Sequence, residues 1–190
     1  NQGITRNDII IIGELLKTNK TVKSLNLGGN NITDVQSIGE LLKTNKTLTT
    51  LFLSNNNITD VQSIGEGLKT NNTLKTLSLY HNNITDDSGI QSIIDGLKTN
   101  NTLKVLHLKN NKITDDSGIQ GIINVLKTNN TLKELNLRNN QLSDNMISQL
   151  KAIEQYKKDG SNGYQQVEGM SIDPSIHRRF EGLSMSLMEY

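Results

Sequence analysis

The chain has 190 residues, enough for one domain or one repeat array with its own core, although only 33% of them are apolar. Lys and Arg number 20 against 19 Asp and Glu, so a net charge of +1 gives no general pull toward nucleic acid or anionic lipid. The absence of cysteine excludes disulfides, Cys-type zinc sites and cysteine nucleophiles.

In chain order, residues 1–20 read as half a repeat without its strand. A helix over Ile9–Leu16 would cover the first leucine layer, as the end of a repeat array requires. The longest apolar run, Ile9–Ile12, is far short of the ~18 residues of a membrane span. The start at Asn1 rather than Met suggests a processed or shortened N-terminus, from which a signal peptide could already be gone. Five self-similar units follow, opening at Thr21, Thr47, Thr73, Thr102 and Thr131, with periods of 26, 26, 29 and 29 residues. LKTNNTLK recurs at 68–75, 97–104 and 126–133, IGELLKTNK at 12–20 and 38–46, and ITDDSGIQ at 84–91 and 113–120. Each unit carries L-x-x-L-x-L-x-x-N-x-I/L, as in Leu48, Leu51, Leu53, Asn56 and Ile58. The alternation around L-x-L predicts a short strand. The second half has helical spacing, as in Ile90, Ile93, Ile94 and Leu97.

Asp34, Asp60, Asp86, Asp115 and Asp144 mark the helix starts, with Thr85 or Asp86 placed as an N-cap, and Lys17, Lys43, Lys69, Lys98 and Lys127 mark the helix ends. Both series complement the helix dipole. The 29-residue units gain three residues near Asp87-Ser88-Gly89, so the first two units should have shorter helices. Residues 143–158 predict a last helix with Met146, Ile147, Leu150 and Ile153 on one side, and Asp159–Gly163 breaks it. Beyond, Asp173-Pro174 opens a predicted amphipathic helix carrying Ile176, Phe180, Leu183 and Leu187, either a C-terminal cap or a docking segment for a partner or a second copy.

The five matches resemble the leucine-rich repeat superfamily. The 26–29 period resembles its ribonuclease-inhibitor-like subclass, found in NOD-type receptor and tropomodulin arrays, and the resemblance covers about residues 4–158. It implies an α/β fold: a right-handed leucine-rich repeat solenoid, a horseshoe arc with a concave parallel β-sheet and convex helices. It also implies that Asn30, Asn56, Asn82, Asn111 and Asn140 form an internal ladder bonding backbone groups of the neighbouring turn. The domain reading is 1–20 as N-terminal half-repeat, 21–158 as five repeats, and 159–190 as linker and C-terminal helix.

No catalytic residue, metal site or cofactor is expected. His81, His107 and His177 lie at no metal-ligand spacing, and no phosphate-loop or nucleophile-elbow motif occurs. Gly28-Gly29 lacks a phosphate-loop continuation. Some bacterial leucine-rich effectors carry a cysteine-dependent ubiquitin ligase, which a chain without cysteine cannot supply. The array also resembles the scaffold of Ran-GTPase activators, without their acidic tail. Eight N-x-[ST] matches, at Asn19, Asn31, Asn45, Asn57, Asn71, Asn83, Asn100 and Asn129, come from the repeated KTN-x-T and NIT motifs. That density suits a chain that never meets the glycosylation machinery.

Strand residues beside the inner leucines face the concave surface. The middle column reads Asn26, Phe52, Ser78, His107, Asn136. The next reads Gly28, Ser54, Tyr80, Lys109, Arg138, and the one before Ser24, Thr50, Thr76, Val105, Glu134. Phe52 and Tyr80 are the only aromatics before Tyr156. Phe52, Ser78, Tyr80, His81, His107, Lys109, Glu134 and Arg138 are therefore the candidate partner-binding residues, passing from aromatic to basic. The expected function is a non-enzymatic protein–protein interaction module for a protein or peptide partner, acidic where it meets the basic end, with no role for nucleic acid or membrane. Competing readings are a bacterial or parasite effector acting on a host protein such as a GTPase, a sensor fragment of a larger receptor, and a tropomodulin-like actin cap. A cytoplasmic setting, or a host cytoplasm reached by a secreted effector, is expected.

Overall fold

The computed structural model describes residues 3–85, 88–114, 117–126, 128–159 and 184–186; side chains are not described at 117–119, 152–159 and 184–186. Strand and helix alternate: α1 (Arg6–Lys17), β1 (Ser24–Asn26), α2 (Gln36–Thr44), β2 (Thr50–Phe52), α3 (Gln62–Thr70), β3 (Thr76–Ser78), α4 (Ser88–Thr99), β4 (Val105–His107), α5 (Ser117–Leu126), β5 (Glu134–Asn136), α6 (Asp144–Asp159) and β6 (Ser184–Ser186). The strands form one parallel sheet in chain order. Each of the first four steps is one repeat, and Leu25, Leu51, Leu77, Leu106, Leu135 and, from the C-terminal segment, Met185 fall in one row.

Leu51, Leu77 and Leu106 in that row are completely buried, as are Leu53, Leu79 and Leu108 two residues further on. Helices α2 to α4 close the core from the other side with Ile38, Leu41, Leu42, Ile64, Leu68, Ile90, Ile93 and Ile94, all fully buried. Parallel strands joined through helices take the right-handed crossover. Strands sit about 4.8 Å apart while packed helices need about 8–10 Å, so the sheet becomes the inner wall of an arc. The molecule is thus an α/β leucine-rich repeat solenoid. In the 26-residue units α2 and α3 have 9 residues each, whereas α4 has 12 and α5 has 10; the insertion lengthens the convex side as expected.

The asparagine ladder forms. Asn82 donates from Nδ2 to the Leu53 and Leu79 carbonyls, 3.0 Å each, and its Oδ1 accepts from Ile58 N at 3.1 Å. Asn56, Asn111 and Asn140 repeat the arrangement. A second ladder, not expected from the sequence, runs through the KTN-x-T motif. Asn71 Nδ2 donates to Leu42 O at 2.7 Å, and its Oδ1 accepts from Thr73 N and Leu74 N at 3.0 and 2.8 Å. Asn45, Asn100 and Asn129 do the same one repeat away. A glycan would attach at the very Nδ2 atoms these bonds occupy. Asn45, Asn71 and Asn100 are buried and cannot carry one in the folded chain, whereas Asn31 and Asn57 are exposed.

The acidic and basic series also take defined roles. Asp34 and Asp60 sit one residue before the formal caps Val35 and Val61, and their Oδ1 atoms accept from Gln36 N and Gln62 N, the first helical amides, at 2.8 and 2.7 Å. In α6 the cap is Ser143 rather than Asp144, its Oγ accepting from Met146 N at 3.2 Å. Asp86 and Asp115 lie outside the described residues, as does Lys127. Lys17, Lys43, Lys69 and Lys98 each pair with a carboxylate three residues earlier, at 2.6 to 2.8 Å.

At the N-terminal end Thr5 caps α1 in a reciprocal box with Asp8. Bonds from the Thr5 hydroxyl and amide hold the Asp8 carboxyl below its usual value, and Lys69 and Lys98 do the same for Glu66 and Asp95. Carboxylates depressed in the folded state stabilise it above their unfolded pKa, near 4, and lose that contribution as pH falls through the folded value. Thermal melts should therefore drop on acidification below about pH 4. Thr5→Ala should lower the neutral-pH melting temperature by roughly 2–4 °C and flatten part of the acid dependence; identical pH profiles would remove the capping box from the account.

Coverage of the first layer by α1 is partial. Ile9 is buried, but Leu15 is 69% exposed where its counterpart Leu41 is at 0%. At the other end α6 buries Met146 and Leu150. The C-terminal helix expected over Ile176–Leu187 is corrected at residues 184–186, which form β6 and pair with β5 in register, Glu134 beside Ser184 and Asn136 beside Ser186. Leu183, Met185 and Leu187 alternate with Ser184 and Ser186, and a spacing of four satisfies both periods. The open edge of β5 decides for the strand, because it offers unpaired backbone donors and acceptors. Ile176, Phe180, Leu183 and Leu187 themselves lie outside the described residues. No helix among the described residues is long and apolar enough to cross a membrane.

Candidate functional site

The inner face of the sheet is assembled by register. Asn26, Phe52, Ser78, His107 and Asn136 lie side by side. One column further, Gly29 N donates to Ser54 O, Asn55 N to Tyr80 O, His81 N to Lys109 O and Asn110 N to Arg138 O, at 2.9 to 3.0 Å. This carries the ladder past the strand ends and aligns Ser54, Tyr80, Lys109 and Arg138. The strip has the order read from the sequence.

Within it the residues differ in availability. Tyr80 is 39% exposed, and its hydroxyl accepts from Asn55 Nδ2 at 3.2 Å, a contact the sequence did not announce. Phe52 is half-buried. Ser78 was expected to meet a partner, and the structure corrects this: it is 1% exposed and its Oγ is bonded to Ser54 Oγ at 2.8 Å. A small side chain between Phe52 and His107, two residues before Tyr80 on the same face, lies in the shelter of its larger neighbours. The Ser54–Ser78 bond joins the two neighbouring repeats that carry the aromatics.

His81 is exposed, with a φ of +58°. Gly29, Asn55, Asn110 and Asn139 have positive φ at the equivalent positions, so the left-handed turn is a requirement of every repeat. Among non-glycine residues Asn and His are enriched there, which accounts for the backbone position of His81.

His107 Nε2 lies 2.8 Å from Glu134 Oε1, with the two side chains 29% and 42% exposed. The end expected to be basic thus contains an acid held against the histidine, and Lys109 and Arg138 carry its positive charge. Among the described residues no group of three His, Asp or Glu is placed to hold a metal ion. Surface hollows around Thr5–Arg6 and Asn31–Asp34, and around Thr33–Gln36 and Gln62–Glu66, contain no residue of the strip.

A model of two leucine-rich repeat copies matches residues 20–66 and 46–92, and a second leucine-rich repeat model matches 99–119 and 128–145. No curated protein matches the chain. Among solved structures, an internalin (inlF) from Listeria monocytogenes str. 4b F2365 is 25% identical over 72% of this chain and 33% of its own, with a TM-score of 0.51. This chain therefore spans about a third of that internalin. Leiomodin-1 actin-binding site 2 is 23% identical over 81% of this chain and 94% of its own, with a TM-score of 0.58, and shows the shared fold. With matched repeats across more than half of its length and the strand–helix register to go with them, the chain belongs to the leucine-rich repeat family.

Proposed function

We propose that the protein is a non-enzymatic interaction module that binds a protein partner through the inner face of its sheet. The observation that carries this is the placement of Phe52 and Tyr80, the two aromatics of the repeat body, at diagonal positions of neighbouring repeats on that face instead of in the core. An aromatic on an open strand surface adds nothing to the leucine layers behind it. Aromatic and Arg side chains are the types that dominate interface energies. Lys109 and Arg138 at the far end favour a partner segment that is acidic there. The helix in each unit supports the ribonuclease-inhibitor-like subclass.

The test is quantitative affinity capture followed by titration with the purified partner, comparing the native protein with Phe52→Ala/Tyr80→Ala. Affinity should fall about a hundredfold, since anchor truncations cost about 2 kcal/mol or more, with the melting temperature nearly unchanged. Added salt should slow association through Lys109 and Arg138. Unaltered affinity of the double variant would sink the proposal. A bacterial setting, in which the chain acts as an effector, is the second reading, favoured by the 25% likeness to the internalin. Genomic context tests it.

A further inference from the structure

Two series of lysines recur along the repeats. Lys17, Lys43, Lys69 and Lys98 at the helix ends are each neutralised by a carboxylate one turn earlier. A second series sits where the strands begin. Thr49 N donates to Lys23 O, Lys75 N to Thr49 O, Lys104 N to Lys75 O and Lys133 N to Lys104 O, at 2.7 to 2.8 Å. Lys23, Thr49, Lys75, Lys104 and Lys133 therefore occupy one register position in five successive repeats. The four lysines are exposed, as is Lys46 in the loop just before Thr49. Among the described residues Lys23, Lys46, Lys75 and Lys104 have no ion pair and no side-chain hydrogen bond, and Lys133 Nζ reaches only the Asn130 carbonyl, at 3.1 Å. Glu134, the nearest acid in sequence, is engaged by His107.

We propose that this lysine row is a second docking surface, distinct from the inner face, and that its occupant is an α-helix bearing a stripe of acidic side chains. Like charges side by side across a sheet repel and destabilise it, and an anionic partner relieves that repulsion. Directly before the lysines Leu74, Leu103 and Leu132 are buried in the core, and the pairs ahead of them, residues 72–73, 101–102 and 130–131, are Asn-Thr and polar. These positions offer nothing on which a base can stack and nothing to insert among acyl chains. Spacing selects the partner's conformation. Lysines on neighbouring strands recur about every 4.8 Å. Acids at i, i+3, i+4 and i+7 of a helix follow its pitch of about 5.4 Å, a mismatch that flexible lysines absorb over three repeats. Same-face acids of an extended peptide recur about every 6.6–6.8 Å and fall out of step.

The test uses the whole chain and a labelled alanine-based helical peptide with Glu at i, i+3, i+4 and i+7, against a peptide of equal composition with Glu spread around the helix. The striped peptide should bind about tenfold more tightly, and K75Q/K104Q/K133Q should lose about tenfold, since exposed pairs are individually weak. K75E/K104E/K133E should reject it and accept a Lys-striped helix. Phe52→Ala/Tyr80→Ala should bind it unchanged, which separates this surface from the inner face. Absent binding, equal binding of the two peptides, or no loss in the Gln variant overturns the proposal. So does tighter binding to phosphatidylserine vesicles or a single-stranded oligonucleotide that is lost in the same variant.

Discussion

Gly65→Ala should lower stability by about 3 kcal/mol and the melting temperature by roughly 6–12 °C. Gly65 lies in α3 against α4. A Cβ there would overlap the Ser92 carbonyl carbon and lie 2.5 Å from both Ile93 N and Ser92 O. These are backbone atoms of a packed helix, so no rotamer change relieves the clash, and α3 and α4 must separate. That movement opens the layers of Ile64, Leu68, Ile93 and Ile94, all fully buried. Helix propensity works the other way, favouring Ala by about 1 kcal/mol, and is outweighed. Gly121→Ala is the control. Its Cβ would meet only Ile94 side-chain carbons, the nearest at 3.1 Å, which can yield. Its melting temperature should stay within a few degrees of the native value. A Gly65→Ala melt no lower than that of Gly121→Ala would refute the close-approach argument.

The second large effect is expected at Asn71. Truncation to Ala leaves the Leu42 carbonyl without its 2.7 Å bond and the Thr73 and Leu74 amides without an acceptor, in a site where Asn71 is 3% exposed. Unsatisfied buried groups cost about 1–3 kcal/mol each, and after partial relaxation a net loss of about 3 kcal/mol is expected. Asn71→Asp should be no better. The carboxylate keeps the acceptor for the two amides but turns a second acceptor toward Leu42 O and buries a charge. Asn57→Ala, at an exposed position, should change little. Denaturant melts of the three variants check this ranking, and an Asp variant as stable as the native chain would show that the donor end of the ladder is dispensable.

The inner-face strip was legible residue by residue because parallel register repeats at every unit, so aligning the sequence aligned the surface. Availability was not legible. Ser78 and Tyr80 are two residues apart on the same face, yet one is 1% and the other 39% exposed. The difference comes from neighbours on adjacent strands, Phe52 and His107 beside Ser78. The His107–Glu134 pair bridges two repeats in the same way. The lysine row had a visible signal in the recurrent Leu-Lys of Lys75, Lys104 and Lys133. Its meaning needed the ion-pair pattern, because sequence alone could not separate these lysines from the neutralised ones at the helix ends.

The amino-acid sequence by itself determined the unit: leucine and isoleucine spacing set a strand of period two and a helix of period 3.6, and the period of 26 or 29 set the helix length. These are local properties, written within a few residues of where they act. The tertiary structure decided what depends on the next unit. It gave the KTN-x-T asparagines a buried ladder, formed the Ser54–Ser78 bond between the repeats that carry the aromatics, and paired 184–186 with β5 as a strand where the local pattern allowed a helix. Hydrogen-bond satisfaction and steric shelter are set by atoms about one repeat or more away along the chain, which no local pattern specifies.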